Sequence, residues 1–380
     1  MQLLRVAAAV VAVLFAVCFL TVVAGVAYLG VRSHQAVTLP APTGPYPVGR
    51  TIYDWTDASR LDPFGPPGTQ RELSVWIWYP AVATAGTMAP YLPSTWERDL
   101  PLSPLGSLVE TAPSLIRAHS VEDAPVLGGP PLPVLIFEPG LGLAAYNYTS
   151  IIEDLASHGY VVAAINPTYS TAVVLGGRVI PSTEQADDDA NPARLQPVWV
   201  ADIEFVAARI RALDGAGSGP FARRLATTRM GFLGHSLGGA AVAAACRVDR
   251  HCVGAVDMDG YLWDQTMRGI GRPFLFIGSQ DGLEGPMKAQ LRGALSDVPQ
   301  GEGYVLTVKG TEHFNFSDRA LYFFAPLRPL GLTGPIDGAR GIAITRAYLL
   351  AFFGRYLGGR SASLLAGPSP AYPEVSFHDL

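Results

Sequence analysis

One serine stands between glycines in Gly234-His235-Ser236-Leu237-Gly238, a G-x-S-x-G spacing. The apolar run "RMGFL" precedes it and the small-residue stretch "GAAVAAAC" follows. That order puts the serine on a sharp turn between a strand and a helix, the context a nucleophile elbow needs. The glycines let the backbone turn and keep side chains away from an incoming carbonyl. The N-terminus of the following helix favours negative charge developing beside the serine.

A serine hydroxyl is a weak nucleophile at neutral pH. It needs a base, and the base needs an orienting acid. Seven histidines compete. His34 lies in a Pro-rich stretch near the N-terminus, and His235 is inside the elbow and points away. His158 follows a helix at the opposite end of the sheet, and His119 and His251 precede strands. His313, in "KGTEHFNFSD", lies just past the last strand and follows the serine in the expected chain order. His378, in the C-terminal tail, is its rival. Two carboxylates compete as the acid: Asp259 in "VDMDG" and Asp281 in "IGSQDG". Each ends a strand from which a side chain can reach the histidine, so the residues alone leave both open. An oxyanion needs two backbone N–H donors. Leu237, next after the serine, is one, and Leu141 in "PGLG" is the other.

The elements that position these residues follow from the apolar runs. "LPVLIFEPG", "YVVAAIN", "RMGFLG", "CVGAVDMDG", "RPFLFIGSQDG" and "GYVLTVKGTEH" read as buried strands that each end in a loop. "YNYTSIIEDLASHG" and "PVWVADIEFVAARIRAL" have helical spacing. "RELSVWIWYP" alternates Leu73, Val75, Ile77 and Tyr79 against Ser74, Trp76 and Trp78, as a strand does. Buried strands alternating with helices imply an α/β fold with a mostly parallel central sheet covered by helices on both faces. Functional residues then gather at the carboxyl ends of the strands. The Pro-rich residues 81–130 read as a cap over the site or as a surface insertion.

Of the 380 residues 49% are hydrophobic and 16% charged, enough for a large core and unlike a disordered chain. The net charge of −5, with no basic block, argues against nucleic-acid binding. Val6 to Val31 carries no charge and is long enough to span a bilayer as a helix. It is expected to be an uncleaved signal anchor with the catalytic part outside the cytoplasm. A cleaved signal and a secreted product is the alternative. The expected organisation is an anchor over 1–31, a Pro-rich tether over 32–45 and one catalytic domain over 46–380. Cys246 and Cys252 are spaced to pair in an oxidising compartment or to stay as buried thiols. No cysteine and histidine spacing matches a zinc site, and no cofactor or metal is expected. Tyr146, Tyr169, Tyr261, Trp263 and Phe314 flank the catalytic loops, as acyl-pocket lining or as ordinary packing. "DDDAN", Asp187 to Asn191, reads as a solvated loop rather than a cation site.

"PTGPYPVGRT", "ELSVWIWYP", "PGLGLAAYNYTSIIEDLASHGYVVAAINP", "GHSLGGA", "VDMDG" and "GTEHFNFSD" together resemble the plasma-type platelet-activating-factor acetylhydrolases and their bacterial relatives. The resemblance covers most of residues 43–320. It implies the α/β-hydrolase fold and calcium-independent hydrolysis of esters, including short or oxidised acyl groups on phospholipids. It implies Ser236 as nucleophile, His313 as base and Asp259 as acid. The chain departs from that pattern at Pro139-Gly140, where the family often has His-Gly. Cutinase-like polyester hydrolases share the Pro-Gly and place their acid at the position of Asp281. The reading is therefore a serine carboxylester hydrolase on short-chain or lipid-like esters. A cutinase-like polyester hydrolase or lipase, or an envelope acyltransferase, is the alternative.

Overall fold

Among the described residues the apolar runs join into a ten-stranded sheet with a parallel centre, antiparallel pairs on either side of it and a short parallel pair at one edge. The computed structural model describes residues 2–83, 85–100, 110–188, 191–262, 269–323 and 333–380. Its strands are β1 (Val37–Thr38), β2 (Val48–Leu61), β3 (Gln70–Pro80), β4 (Ile116–Arg117), β5 (Val121–Glu122), β6 (Leu132–Glu138) and β7 (Val161–Asn166), followed by β8 (Val173–Leu175), β9 (Arg178–Ile180), β10 (Leu225–His235), β11 (Cys252–Met258), β12 (Phe274–Gly278), β13 (Gly303–Val308) and β14 (Val375–Phe377). The helices are α1 (Gln2–Ser33), α2 (Ser94–Asp99), α3 (Thr149–Ser157), α4 (Pro192–Asp214), α5 (Leu237–Val248), α6 (Met287–Leu295), α7 (Arg319–Tyr322) and α8 (Gly338–Tyr356).

The sheet order is β14-β13-β12-β11-β10-β6-β7-β3-β2-β5. The strands from β13 through β7 in that order are parallel. Beyond them β14 pairs antiparallel with β13, and β3 pairs antiparallel with both β7 and β2. The central strands are buried on both faces because helices cover both, which is why their sequences are continuous apolar runs. On one face α3 packs on α8, whose Phe353 and Phe352 press on Gly231 and Gly254. On the other face α4 packs on α5. At the start of β3 the buried Arg71 bonds Asp62 at 2.8 Å and Asp202 of α4 at 2.6 Å, pairing its charge inside the protein.

Three readings of the sequence are corrected or completed. First, β3 alternates in sequence, yet every residue from Leu73 to Pro80 is buried. Trp96 of α2 meets Trp76 edge-on at 5.1 Å, and the Arg50 guanidinium sits 4.9 Å over the same ring. The described part of residues 81–130 therefore covers β3, and none of it lines the catalytic cavity described below. Second, the Pro-rich stretch is no free tether. β1 pairs with β4, Leu39 is buried, and Arg346 of α8 donates to the carbonyls of Pro40 and Ala41 at 2.9 and 3.0 Å. Thr43 donates from its N–H and hydroxyl to Asp154. Its backbone is satisfied by side chains of distant helices, which composition does not reveal. Third, Cys246 and Cys252 form a disulfide that links the end of α5 to the start of β11.

Helix α1 is long and apolar enough to cross a membrane: Arg5–Ser33 contains a window of mean hydropathy 3.0 that is unburied by the rest of the chain.

Candidate active site

The carboxyl ends of β6, β10, β11, β12 and β13 converge on one cavity of about 420 Å³. Leu141, Ser236, Leu237, Asp259, Asp281 and His313 all line it. Tyr261, Pro192 and Met287 add apolar wall, and Glu284 adds a second exposed carboxylate beside Asp281.

Ser236 follows β10 and caps α5 with φ 57° and ψ −128°, the strained turn expected of a nucleophile elbow. Its N–H donates to the Met258 carbonyl at 2.9 Å, which fixes the turn against β11. Glycine is required around it. A Cβ on Gly234 would stand 2.4 Å from the Gly238 carbonyl oxygen, and one on Gly238 would stand 2.2 Å from that of Pro139. Leu237 is the first residue of α5, so its N–H has no acceptor within the helix. Leu141 follows the close passage of Gly140 over Ser236, where a Cβ would come 3.2 Å from the serine Cβ.

His313 opens a short 3₁₀ turn after β13. Its Nδ1 is 2.8 Å from Asp259 Oδ2. A carboxylate accepts, so Nδ1 carries the proton and Nε2 is left as the basic nitrogen. The other oxygen of Asp259 accepts from the Ser279 N–H at 2.6 Å. Burial alone would raise the Asp259 carboxyl. The hydrogen bond and charge of His313, with the Ser279 N–H, outweigh it and hold the group below its ordinary value. Asp281 lines the same cavity but is exposed and makes no hydrogen bond to the His313 ring. Ser236 and His313 line the same cavity, and a hydrogen bond between a serine and its base tightens when substrate binds.

The other histidines lie elsewhere. His378 bonds Thr307 Oγ1 at the sheet edge, and His119 bonds the Leu39 carbonyl. His158 bonds the Asp154 carbonyl at the end of α3, and His251 bonds Asp249. Of the flanking aromatics, Tyr261 lines the cavity. Tyr146 packs against Trp76 and Tyr91, Tyr169 is buried, and Phe314 lies under Arg319. Trp263 falls outside the described residues, as do two residues of "DDDAN". Asp259 owes its protection to Ser279 and to Gly282, where a Cβ would stand 2.7 Å from Asp259 Oδ1.

Sequence reasoning missed two buried acids beneath the elbow. Glu138 of β6 and Asp257 of β11 pair in register with Gly234, so all three face α5. Burial, chiefly, pushes both carboxyls well above the ordinary range. It also missed Tyr148, which contacts His235 from 87 residues away.

A family model described as platelet-activating factor acetylhydrolase, isoform II, matches residues 31–201 and 220–362. The chain is 31% identical over 275 residues to a probable 1-alkyl-2-acetylglycerophosphocholine esterase of Arthroderma benhamiae, covering 65% of this chain and 66% of that protein. It is 25% identical over 356 residues to a platelet-activating factor acetylhydrolase of Bos taurus, covering 84% of this chain and 77% of that protein. Among solved structures, a ferulic acid esterase from Streptomyces cinnamoneus superposes with a TM-score of 0.78 at 30% identity, over 91% of this chain and all of that one. With the family model matched over most of its length, the chain belongs to the platelet-activating factor acetylhydrolase isoform II family and has its α/β-hydrolase fold.

Proposed function

We propose that the chain is a serine carboxylester hydrolase working through an acyl-enzyme on Ser236. The observation that carries this reading is the Asp259–His313 hydrogen bond within the cavity that also holds Ser236. In the first half-reaction His313 Nε2 takes the Ser236 proton as Oγ bonds to the ester carbonyl carbon. The carbonyl oxygen becomes an oxyanion that accepts from the Leu141 and Leu237 N–H groups. Asp259 steadies the imidazolium, which then passes its proton to the departing alkoxide as the ester C–O bond breaks. In the second half-reaction water gives its proton to His313 and attacks the acyl carbon, and Ser236 leaves with that proton. No metal is required for any of these steps.

The substrate class follows the family: esters with short acyl chains, including lipid-like ones. One relative is described as an esterase of 1-alkyl-2-acetylglycerophosphocholine and another as a platelet-activating factor acetylhydrolase, and the apolar wall of Leu141, Leu237, Tyr261 and Met287 supports this reading for short acyl groups. The neighbouring ferulic acid esterase adds aromatic esters to the range worth testing. Helix α1 is read as the anchor of this enzyme in a membrane, with the catalytic domain outside the cytoplasm, where the Cys246–Cys252 disulfide would persist.

A screen across p-nitrophenyl esters of increasing length, acetylated phospholipids, feruloyl esters and polyesters tests the reading. Hydrolysis that falls steeply with acyl length supports it. Hydrolysis of polyesters but not of short-acyl phospholipids would transfer the chain to the cutinase-like reading. An added alcohol that takes most of the acyl group in place of water would make it an acyltransferase.

A further inference from the structure

His235, in the second position of the serine motif, does not face the cavity. It is wholly buried on the opposite side of β10 from Gly234 and takes part in a hydrogen-bond chain with a defined direction. The Gly140 N–H donates to Tyr148 Oη at 3.0 Å, and Tyr148 Oη lies 2.8 Å from His235 Nδ1. His235 Nε2 lies 3.0 Å from the main-chain carbonyl oxygen of His313. A carbonyl only accepts, so Nε2 carries the proton. In the neutral ring Nδ1 is then an acceptor, and the Tyr148 hydroxyl donates to it. Each member has one arrangement open to it.

The ring is neutral for a physical reason. Burial, and then the nearby His313, pull His235 down to about 3. Its ring centroid is 4.5 Å from that of His313. A charged His235 would oppose the imidazolium that forms on His313 during the reaction, and a neutral one does not. The approach is possible because residue 140 is glycine: a Cβ there would stand 2.9 Å from His235 Nδ1. Tyr148 is itself fixed by Phe137, at 4.7 Å between ring centroids.

We infer that Tyr148 and His235 are positioning residues that tie the oxyanion loop at Gly140-Leu141 to the main chain of His313 through one directional hydrogen-bond chain. This rests on the assignment of Leu141 as an oxyanion donor and His313 as the base. The Gly140 amide is next to that of Leu141, so pinning one peptide aims the other. The far end of the chain holds the backbone from which the His313 ring projects. The two groups that must act on opposite sides of the reacting carbonyl are thereby set by a common support, with small tolerance for displacement.

The test uses the full chain with Tyr148→Phe, His235→Gln and the double variant. The glutamine keeps a donor toward the His313 carbonyl and breaks the link to Tyr148. Active sites are counted by organophosphonate titration, and kcat and KM are measured on p-nitrophenyl acetate. Expected is a kcat per titrated site lower by about 10- to 100-fold in each single variant, with KM within about twofold. The double variant should lose no more than about threefold beyond the weaker single, because both break one chain. A kcat per titrated site within about twofold of the parent, a rise in KM alone, or losses that multiply would each overturn the inference. Where Tyr148→Phe does not fold, His235→Gln decides on the same terms. Failure of the underlying assignment looks different, because His313→Ala would then keep the parent's activity and its phosphonate labelling of Ser236.

Discussion

Asp259 Oδ2 stands 2.8 Å from His313 Nδ1, across the ends of β11 and β13 with β12 between them. Asp281 shares the cavity without touching that ring. Asp259→Asn should therefore lower kcat by about 10⁴ by favouring the wrong histidine tautomer, with folding intact. Asp281→Asn should cost less than about tenfold. Steady-state kinetics on a soluble ester checks both, and the reverse pattern would move the acid role to Asp281.

The buried acids under the elbow predict a pH dependence of stability. Asp257 is pushed up chiefly by burial, with the Asp259 charge adding to it and the Gly260 N–H opposing. Above the unfolded carboxylate value of about 4, the native state keeps a proton that the unfolded chain has released. Asp257 therefore contributes a loss of stability as pH rises from there toward its folded value. Asp257→Asn removes that loss. Its unfolding free energy relative to the parent should rise between about pH 5 and about pH 8 in denaturant titrations. A difference independent of pH would show that Asp257 is ionised in the fold.

Removing residues 1–35 should give a soluble protein with the parent's activity. Removing residues 1–45 should destabilise the domain by about 3 kcal/mol or more, since it exposes the Leu39 pocket and strips Arg346 and Asp154 of partners. Thermal unfolding of the two truncations checks this. Equal melting temperatures would mean that the segment contributes nothing to the fold.

The same 1–35 truncation removes Cys18, the cysteine outside the disulfide. The remaining protein should show no thiol reactive with a disulfide reagent under denaturing conditions, until it is reduced. Reduction should cost about 2 kcal/mol, the amount expected for closing so short a loop. Two free thiols before reduction would contradict the pairing.

What the sequence made legible is local. The elbow was readable because glycines, a serine and the flanking strand and helix lie within a dozen residues, and chain geometry over that range is set by the residues themselves. The order of buried strands was readable from apolar runs. Asp259 and Asp281 were not separable, because each ends a strand with a turn residue following. What distinguishes them is register: the Asp259 N–H bonds Ile277 of β12 and its carboxylate takes the Ser279 N–H, with the other oxygen against the His313 ring, whereas Asp281 is exposed. Tyr148 was invisible because its partner lies 87 residues away, and no periodicity marks such a pair. The docked segment before β2 misled because proline suggests a linker, whereas here its carbonyls serve a buried arginine. The burial of both faces of β3 was not readable because part of its cover, Trp96, comes from an irregular insertion.

The central claim is that Ser236 forms the covalent intermediate. The most direct measurement is organophosphonate inactivation followed by peptide mapping in a mass spectrometer. The account predicts one phosphonyl group per chain, located on Ser236, with activity falling in step with labelling, and neither label nor activity in Ser236→Ala. Stoichiometric labelling of another residue, or ester hydrolysis that survives in Ser236→Ala, would contradict it.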